Sequence, residues 1–141
     1  MGLDIGDSRI GVALSDLLRI SAQPFCNIER NKKDDYAKLL DLIETNTVKS
    51  IVVGLPLEMS GEVGAQATKV QNFIDGFVKF IHRKKISDMT IEYIDERLTT
   101  VEAKRVTSGS GLKNKDCRAA LDRVSASIIL ETYLLKNSQN V

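Results

Sequence analysis

The sequence is short of most residues that announce a chemistry. In 141 residues it has one histidine, two cysteines and two prolines, and it has no tryptophan. Cys26 and Cys117 form no CxxC pair, which argues against a zinc ribbon and for reduced thiols in a cytosol. Neither cysteine has a catalytic neighbourhood legible in the sequence. The single His82 sits in HRKK at an expected helix end and reads as a surface residue. No apolar stretch approaches the roughly 20 residues of a membrane span, and no charged N-terminal region precedes an apolar block. MGLDIG also fails the myristoylation pattern, with Gly6 where Ser or Thr is required. The expectation is a soluble, cytoplasmic protein that engages no membrane. An excess of one charge is missing too: 20 Lys+Arg against 19 Asp+Glu leave a net charge of +1, so no global field draws the chain to nucleic acid. Any polyanion site must be local. Three basic clusters, Arg30/Lys32/Lys33, Arg83/Lys84/Lys85 and Lys113/Lys115/Arg118, read as solvated faces or helix ends before binding patches.

What is present is a core and an element order. A 43% hydrophobic content over this length suits one domain, residues 1–141. Residues 1–5, 9–15 and 20–28 read as three strands, with Pro24 marking an edge or a bend. Their short connections predict an antiparallel meander. DDYAKLLDLIETN places Tyr36, Leu39, Leu40 and Ile43 at helical spacing, and SIVVGLP is a β-branched run suited to a strand buried on both faces. After the glycine-rich GLPLEMSGEVG, a helical pattern returns through Val70, Phe73, Ile74 and Phe77. MTIEYID predicts a further strand and DERLTTVEAKR the start of another helix. SGSGLKNKD reads as a mobile segment, and a last helix is expected from about Cys117 to Lys136, apolar at Leu121, Val124, Ile128 and Leu135. The order βββ-α-β-α-β-α-α is ribonuclease-H-like: an α/β fold whose five-stranded mixed sheet, an antiparallel meander plus parallel strands, is flanked by helices.

Acidic residues fall where such a fold converges. Asp4 ends the first strand, Asp95 and Glu96 end the last, and Asp122 interrupts an otherwise apolar helix. Each has an ordinary alternative: Asp4 precedes turn-forming Gly6 and Asp7, and the 95–96 pair could cap the following helix. Asp122 either faces water on the flank of its helix or has a cationic partner, because burying an unpaired carboxylate is costly. Carboxylates that meet repel one another and raise each other's pKa unless a divalent cation neutralises them, and all-oxygen ligation points to Mg²⁺ or Mn²⁺. Two such ions about 4 Å apart suit phosphodiester hydrolysis without a covalent nucleophile.

Four blocks, MGLDIGDSRIGVALSD, IVVGLPLEMSGEVGAQATKVQNF, YIDERLTTVEAKR and LDRVSASIILETYL, resemble in order those of the YqgF/RuvX family, the pre-16S rRNA nucleases also called Holliday-junction-resolvase-like proteins. The likeness covers almost the whole chain. It implies a metal-dependent nuclease acting on pre-rRNA or branched DNA, with the ribosome or the transcription machinery as candidate partners. A non-catalytic nucleic-acid-binding assembly factor is the competing reading, and an actin-like phosphate-binding module a third. By position, Asp4, the Asp95/Glu96 pair and Asp122 fall on the family's acidic centre. Arg9, Arg97 and Thr99 fall in its motifs as candidates for holding phosphates, and Lys113 and Lys115 are expected to add substrate contacts. The task of the GLPLEMSG loop does not follow from the likeness. Two departures stand out: the family carries several residues ahead of its L-G-x-D, so a shortened first strand and a truncated start are expected, and Ser125-Ala126 replaces the usual Ala-Ala.

Strand alternation sends Asp95 and Glu96 to opposite faces. Asp95 shares its face with Ile91 and Tyr93, which favours that face as the better buried. The reach of the longer Glu side chain and the family likeness argue the other way. Glu96 is therefore expected as the primary ligand beside Asp4 and Asp122, with Asp95 a secondary ligand or helix cap.

Overall fold

The computed structural model describes residues 1–97 and 115–139. Residues 98–114, which carry most of the helix expected from DERLTTVEAKR and of the SGSGLKNKD segment together with Thr99 and Lys113, lie outside the described residues, while Lys115 and Asp116 of that segment already belong to the last helix. Strands β1 (Gly2–Ile5), β2 (Arg9–Ser15) and β3 (Ala22–Glu29) come first, followed by helix α1 (Asp35–Thr45) and strand β4 (Ser50–Leu55). Helix α2 (Ala65–Arg83), strand β5 (Thr90–Asp95) and helix α3 (Lys115–Ser138) follow among the described residues. The five strands form one sheet in the order β3-β2-β1-β4-β5. The meander is antiparallel, while β1 pairs with β4 and β4 with β5 in parallel.

Local sequence accounts for most of this. In β4 the run Ile51-Val52-Val53-Gly54 is buried on both faces, as a continuous apolar strand inside a mixed sheet should be. Pro24 is both at an edge and at a bend: β3 is the outer strand, and its register against β2 slips where Val12 pairs with Cys26 but Ala13 pairs with Pro24. Helices α1 and α2 cover one face of the sheet, where Leu39, Ile43, Val70, Phe73 and Phe77 pack on Leu3, Ile10, Val12, Ile51 and Val53. Fully burying a side chain of this size stabilises by about 1.5–3 kcal/mol.

Helix α3 covers the other face, and it does so by a different stripe from the one its large apolar residues suggest. Leu135 is 58% exposed, and Leu121, Val124 and Ile128 are only partly buried. The buried residues are instead Ser125, Ala126, Ser127, Ile129 and Leu130. The cause is proximity. The sheet meets α3 with glycines: a Cβ on Gly11 would lie 2.0 Å from the Asp122 carbonyl oxygen, and one on Gly2 would lie 2.6 Å from that of Ala126. At backbone contact only small residues fit beneath the helix, so Ala126 has no exposure and Ser125 very little. The Ser125-Ala126 departure therefore lies in the tightest part of the interface. The stripe of Asp122, Ala126 and Ile129 carries an acidic residue onto the sheet.

Candidate active site

Three elements converge beneath the N-terminal half of α3. Asp4 lies in β1 opposite Gly11 of β2, so its side chain is on the face that α3 covers. Glu96 follows the last residue of β5, where its N–H donates to the Leu55 carbonyl at 3.0 Å and extends the pairing with β4 by one step. Its carboxyl carbon would lie 3.2 Å from a Cβ on Gly54, so that glycine leaves the space the glutamate fills. Asp122 descends from α3, brought down by the close contact over Gly11.

The carboxyls of Asp4 and Glu96 share a hydrogen bond, and Asp122 is near enough to act on both by its charge. Burial first, and then the negative charge of Glu96 and its hydrogen bond, push Asp4 up to about 9. Burial likewise raises Glu96, which is 8% exposed. Asp122 is raised mainly by burial, and the hydrogen bond from Arg9 works against that rise. At neutral pH the Asp4–Glu96 pair holds a proton between its oxygens, because two adjacent buried carboxylates cannot both ionise. Arg9 Nε donates to Asp122 Oδ2 at 2.9 Å, the cationic partner that a carboxylate on this helix required. With Asp122 drawn to Arg9, no group of three acidic side chains forms a ready-made cation cage among the described residues.

Asp95 is elsewhere. It lies on the opposite face of β5 and holds the Arg97 guanidinium, with Nε at 2.9 Å from Oδ2 and the Arg97 N–H at 3.0 Å from Oδ1. Those hydrogen bonds keep its carboxyl below the usual range. The Asp95 face is also not the better buried one: Tyr93 is 38% exposed and Ile94 9%, because α3 covers Ile94 and leaves Tyr93 on the outer strand. Arg97, expected to hold phosphate, reaches the GLPLEMSG loop, where its Nη1 donates to the Met59 carbonyl at 3.3 Å. The same guanidinium lies against Gly61, whose φ of +88° suits glycine. One task of the loop is therefore to seat Arg97. Lys115 is the exposed first residue of α3. Sequence reasoning missed the helix-seating role of Gly2 and Gly11, which becomes visible only once strand pairing puts them on one face with Asp4.

A family model described as RuvX, Holliday junction resolvase, matches residues 1–136. The chain belongs to the RuvX family. A relative from Roseiflexus sp. (strain RS-1), named "Putative pre-16S rRNA nuclease", is 44% identical over 135 residues, 95% of this chain and 92% of its own length. Another of the same name from Halothermothrix orenii is 41% identical over 141 residues, 99% of this chain and 95% of its own length. Among solved structures, Thermus thermophilus RuvC in complex with a Holliday junction substrate superposes with a TM-score of 0.55 at 12% identity, over 97% of this chain and 93% of that one. The RuvX chain shares that ribonuclease-H-like fold. No helix among the described residues is long and apolar enough to cross a membrane.

Proposed function

We propose that this RuvX chain is a metal-dependent endonuclease of the cytoplasm that hydrolyses phosphodiester bonds of structured nucleic acid, with the 5′ end of pre-16S rRNA as its substrate. The observation that carries the reading is the convergence of Asp4, Glu96 and Asp122 from three separate elements, with Asp4 pushed up to about 9. A fold gains no stability from such a cluster on its own, so a positive occupant is the physical reason to keep it. Three oxygen-donor groups and no nitrogen or sulfur match Mg²⁺ or Mn²⁺, and Asp4, Glu96 and Asp122 are the residues that would hold them. When bound, a pair of such ions supplies an activated water and stabilises the leaving oxygen.

The chain's own groups do the rest. Asp4 and Glu96, which share a proton, would hold such an ion as carboxylates with that proton given up to solvent, and Arg9, bonded to Asp122 at the edge of the site, would offer its guanidinium to a phosphate oxygen. Gly11, Gly2 and Gly54 keep α3 low on the sheet, so the three carboxylates stay within reach of one another.

Branched DNA is the second reading, and the family's description as a Holliday junction resolvase favours it. One experiment separates the two: incubation with a pre-16S rRNA 5′ leader, a four-way DNA junction and linear duplex controls, each in Mg²⁺, Mn²⁺ and EDTA. The proposal expects cut leader in Mn²⁺ or Mg²⁺ and none in EDTA. Cleavage of the junction alone replaces the substrate, and cleavage that persists in EDTA removes the mechanism.

A further inference from the structure

On the α1/α2 side of the β1–β2 turn lies a cleft of about 630 Å³, within the roughly 300–1,000 Å³ of typical ligand clefts. It is lined by Arg30, Lys32 and Lys69, by Tyr36, Asn72 and Phe73, and by one acid, Asp7. Nothing in the catalytic reading uses it. Arg30 lies 4.8 Å over the Phe73 ring, donates Nε to the buried Asp35 at 3.3 Å and Nη1 to the Gly6 carbonyl at 2.8 Å. Lys32 is held in a left-handed conformation, φ 65°, with its N–H donating to Asp35 at 3.3 Å. Backbone strain of that kind in a residue with a side chain persists where surrounding structure enforces it, and it concentrates at functional sites. The Lys32 ammonium makes no ion pair among the described residues, while Lys69 reaches Asp7 at 3.5 Å, both side chains being more than half exposed.

The turn that separates this cleft from the carboxylates is only four residues long. Its Gly6 N–H closes on the Arg9 carbonyl at 2.9 Å. From it Arg9 bonds Asp122 of the catalytic cluster, while Asp7 pairs with Lys69 and the Gly6 carbonyl accepts from Arg30 on the side of the cleft. A strand held at the catalytic cluster reaches the cleft by crossing this one turn, where Lys32 and Lys69 stand to meet its following phosphates. We propose that this cleft is a second nucleic-acid site that binds the phosphodiester backbone of the substrate strand beyond the scissile bond, and that Asp7 competes with it by holding Lys69. The inference deepens the nuclease reading and rests on it for the direction of the strand.

The test is binding of a fluorescein-labelled 12-nucleotide single-stranded RNA, read by anisotropy in EDTA across a series of KCl concentrations, so that no cleavage is needed. The variants are Lys32→Gln/Lys69→Gln, Asp7→Asn, and Asp7→Asn combined with Lys69→Gln; all three positions are exposed, and unchanged melting curves verify folding. The double lysine variant is expected to bind about 10-fold more weakly, with a salt slope lower by roughly 0.7 for each phosphate that is no longer neutralised. Asp7→Asn is expected to bind about 3-fold more tightly, and that gain should vanish when Lys69 is Gln. Wild-type affinity and salt slope in the double lysine variant overturn the cleft, as does a wild-type protein that does not bind the oligonucleotide. A wild type that binds through the cleft yet cuts no substrate in Mn²⁺ overturns the nuclease reading alone.

Discussion

Replacing Asp4 with Asn should make the metal-free protein more stable, although it removes a buried hydrogen-bonding acid. Asp4 is buried among carboxyls and holds its proton up to about 9, against an ordinary value of 3.8. A carboxyl whose pKa is raised by folding binds a proton in the native state that the unfolded chain has released. Stability is therefore lost as pH climbs from about 4 toward 9, the reverse of what a salt-bridged aspartate does. Up to pH 7 the interval above 3.8 is about three units, each about 1.4 kcal/mol, which gives an upper bound of about 4 kcal/mol. Relaxation of the cluster and entry of water leave on the order of 2 kcal/mol. An asparagine keeps the shape, donates to Glu96 and carries no proton to lose. In EDTA its melting temperature should exceed that of the wild type by about 5–8 °C at pH 7–8, and by much less at pH 5. Mn²⁺ should raise the wild-type melting temperature and leave the variant nearly unmoved, since a ligand stabilises only the state that binds it. An Asp4→Asn protein that melts below the wild type at pH 8 in EDTA would refute the reasoning.

Gly11→Ala puts a Cβ 2.0 Å from a backbone oxygen of α3 and should cost about 3 kcal/mol or more, read as a drop in the denaturation midpoint. Gly54→Ala meets the movable end of Ile129 at 2.4 Å, so its cost should be nearer 1 kcal/mol; equal effects of the two glycines would contradict helix seating. For Asp35, burial works against ionisation, but hydrogen bonds from Asn31, Arg30 and Lys32 win and lower its pKa. Its stabilising contribution is thus present above the unfolded value of 3.8 and lost as pH falls through the folded one. Asp35→Ala should destabilise by about 2–3 kcal/mol at pH 7, a difference that shrinks below pH 4 in urea titrations.

The fold is legible in the sequence because strand spacing, β-branched runs and the periodicities of α1 and α2 act locally. Leu39, Ile43, Val70 and Phe77 are buried as their spacing predicts. The C-terminal helix defeats the same reasoning for a nonlocal reason. Its contact face is chosen by glycines on two other strands, and side-chain periodicity cannot reveal that Gly2 and Gly11 bring the helix to backbone distance. The same contact explains Asp122: the helix pattern leaves it between water and a partner, and Arg9, 113 residues away, is the partner. For the acidic pair, alternation correctly separates Asp95 from Glu96. It cannot tell which face α3 covers, and the aromatic Tyr93 points to the wrong one. What the family motif could not reveal for Arg97 is its protein partners, the neighbouring Asp95 and the Met59 carbonyl.

Single-turnover cleavage of the pre-16S leader at saturating Mn²⁺ tests the central claim most directly, with Asp4→Asn, Glu96→Gln, Asp122→Asn and Asp95→Asn compared against the wild type. The account predicts losses of at least about 100-fold for the first three, about 3 kcal/mol of transition-state stabilisation each. It predicts a change within about 10-fold for Asp95→Asn, whose carboxylate serves Arg97 on the other face of β5. An inactive Asp95→Asn beside a Glu96→Gln that cuts at the wild-type rate would contradict it.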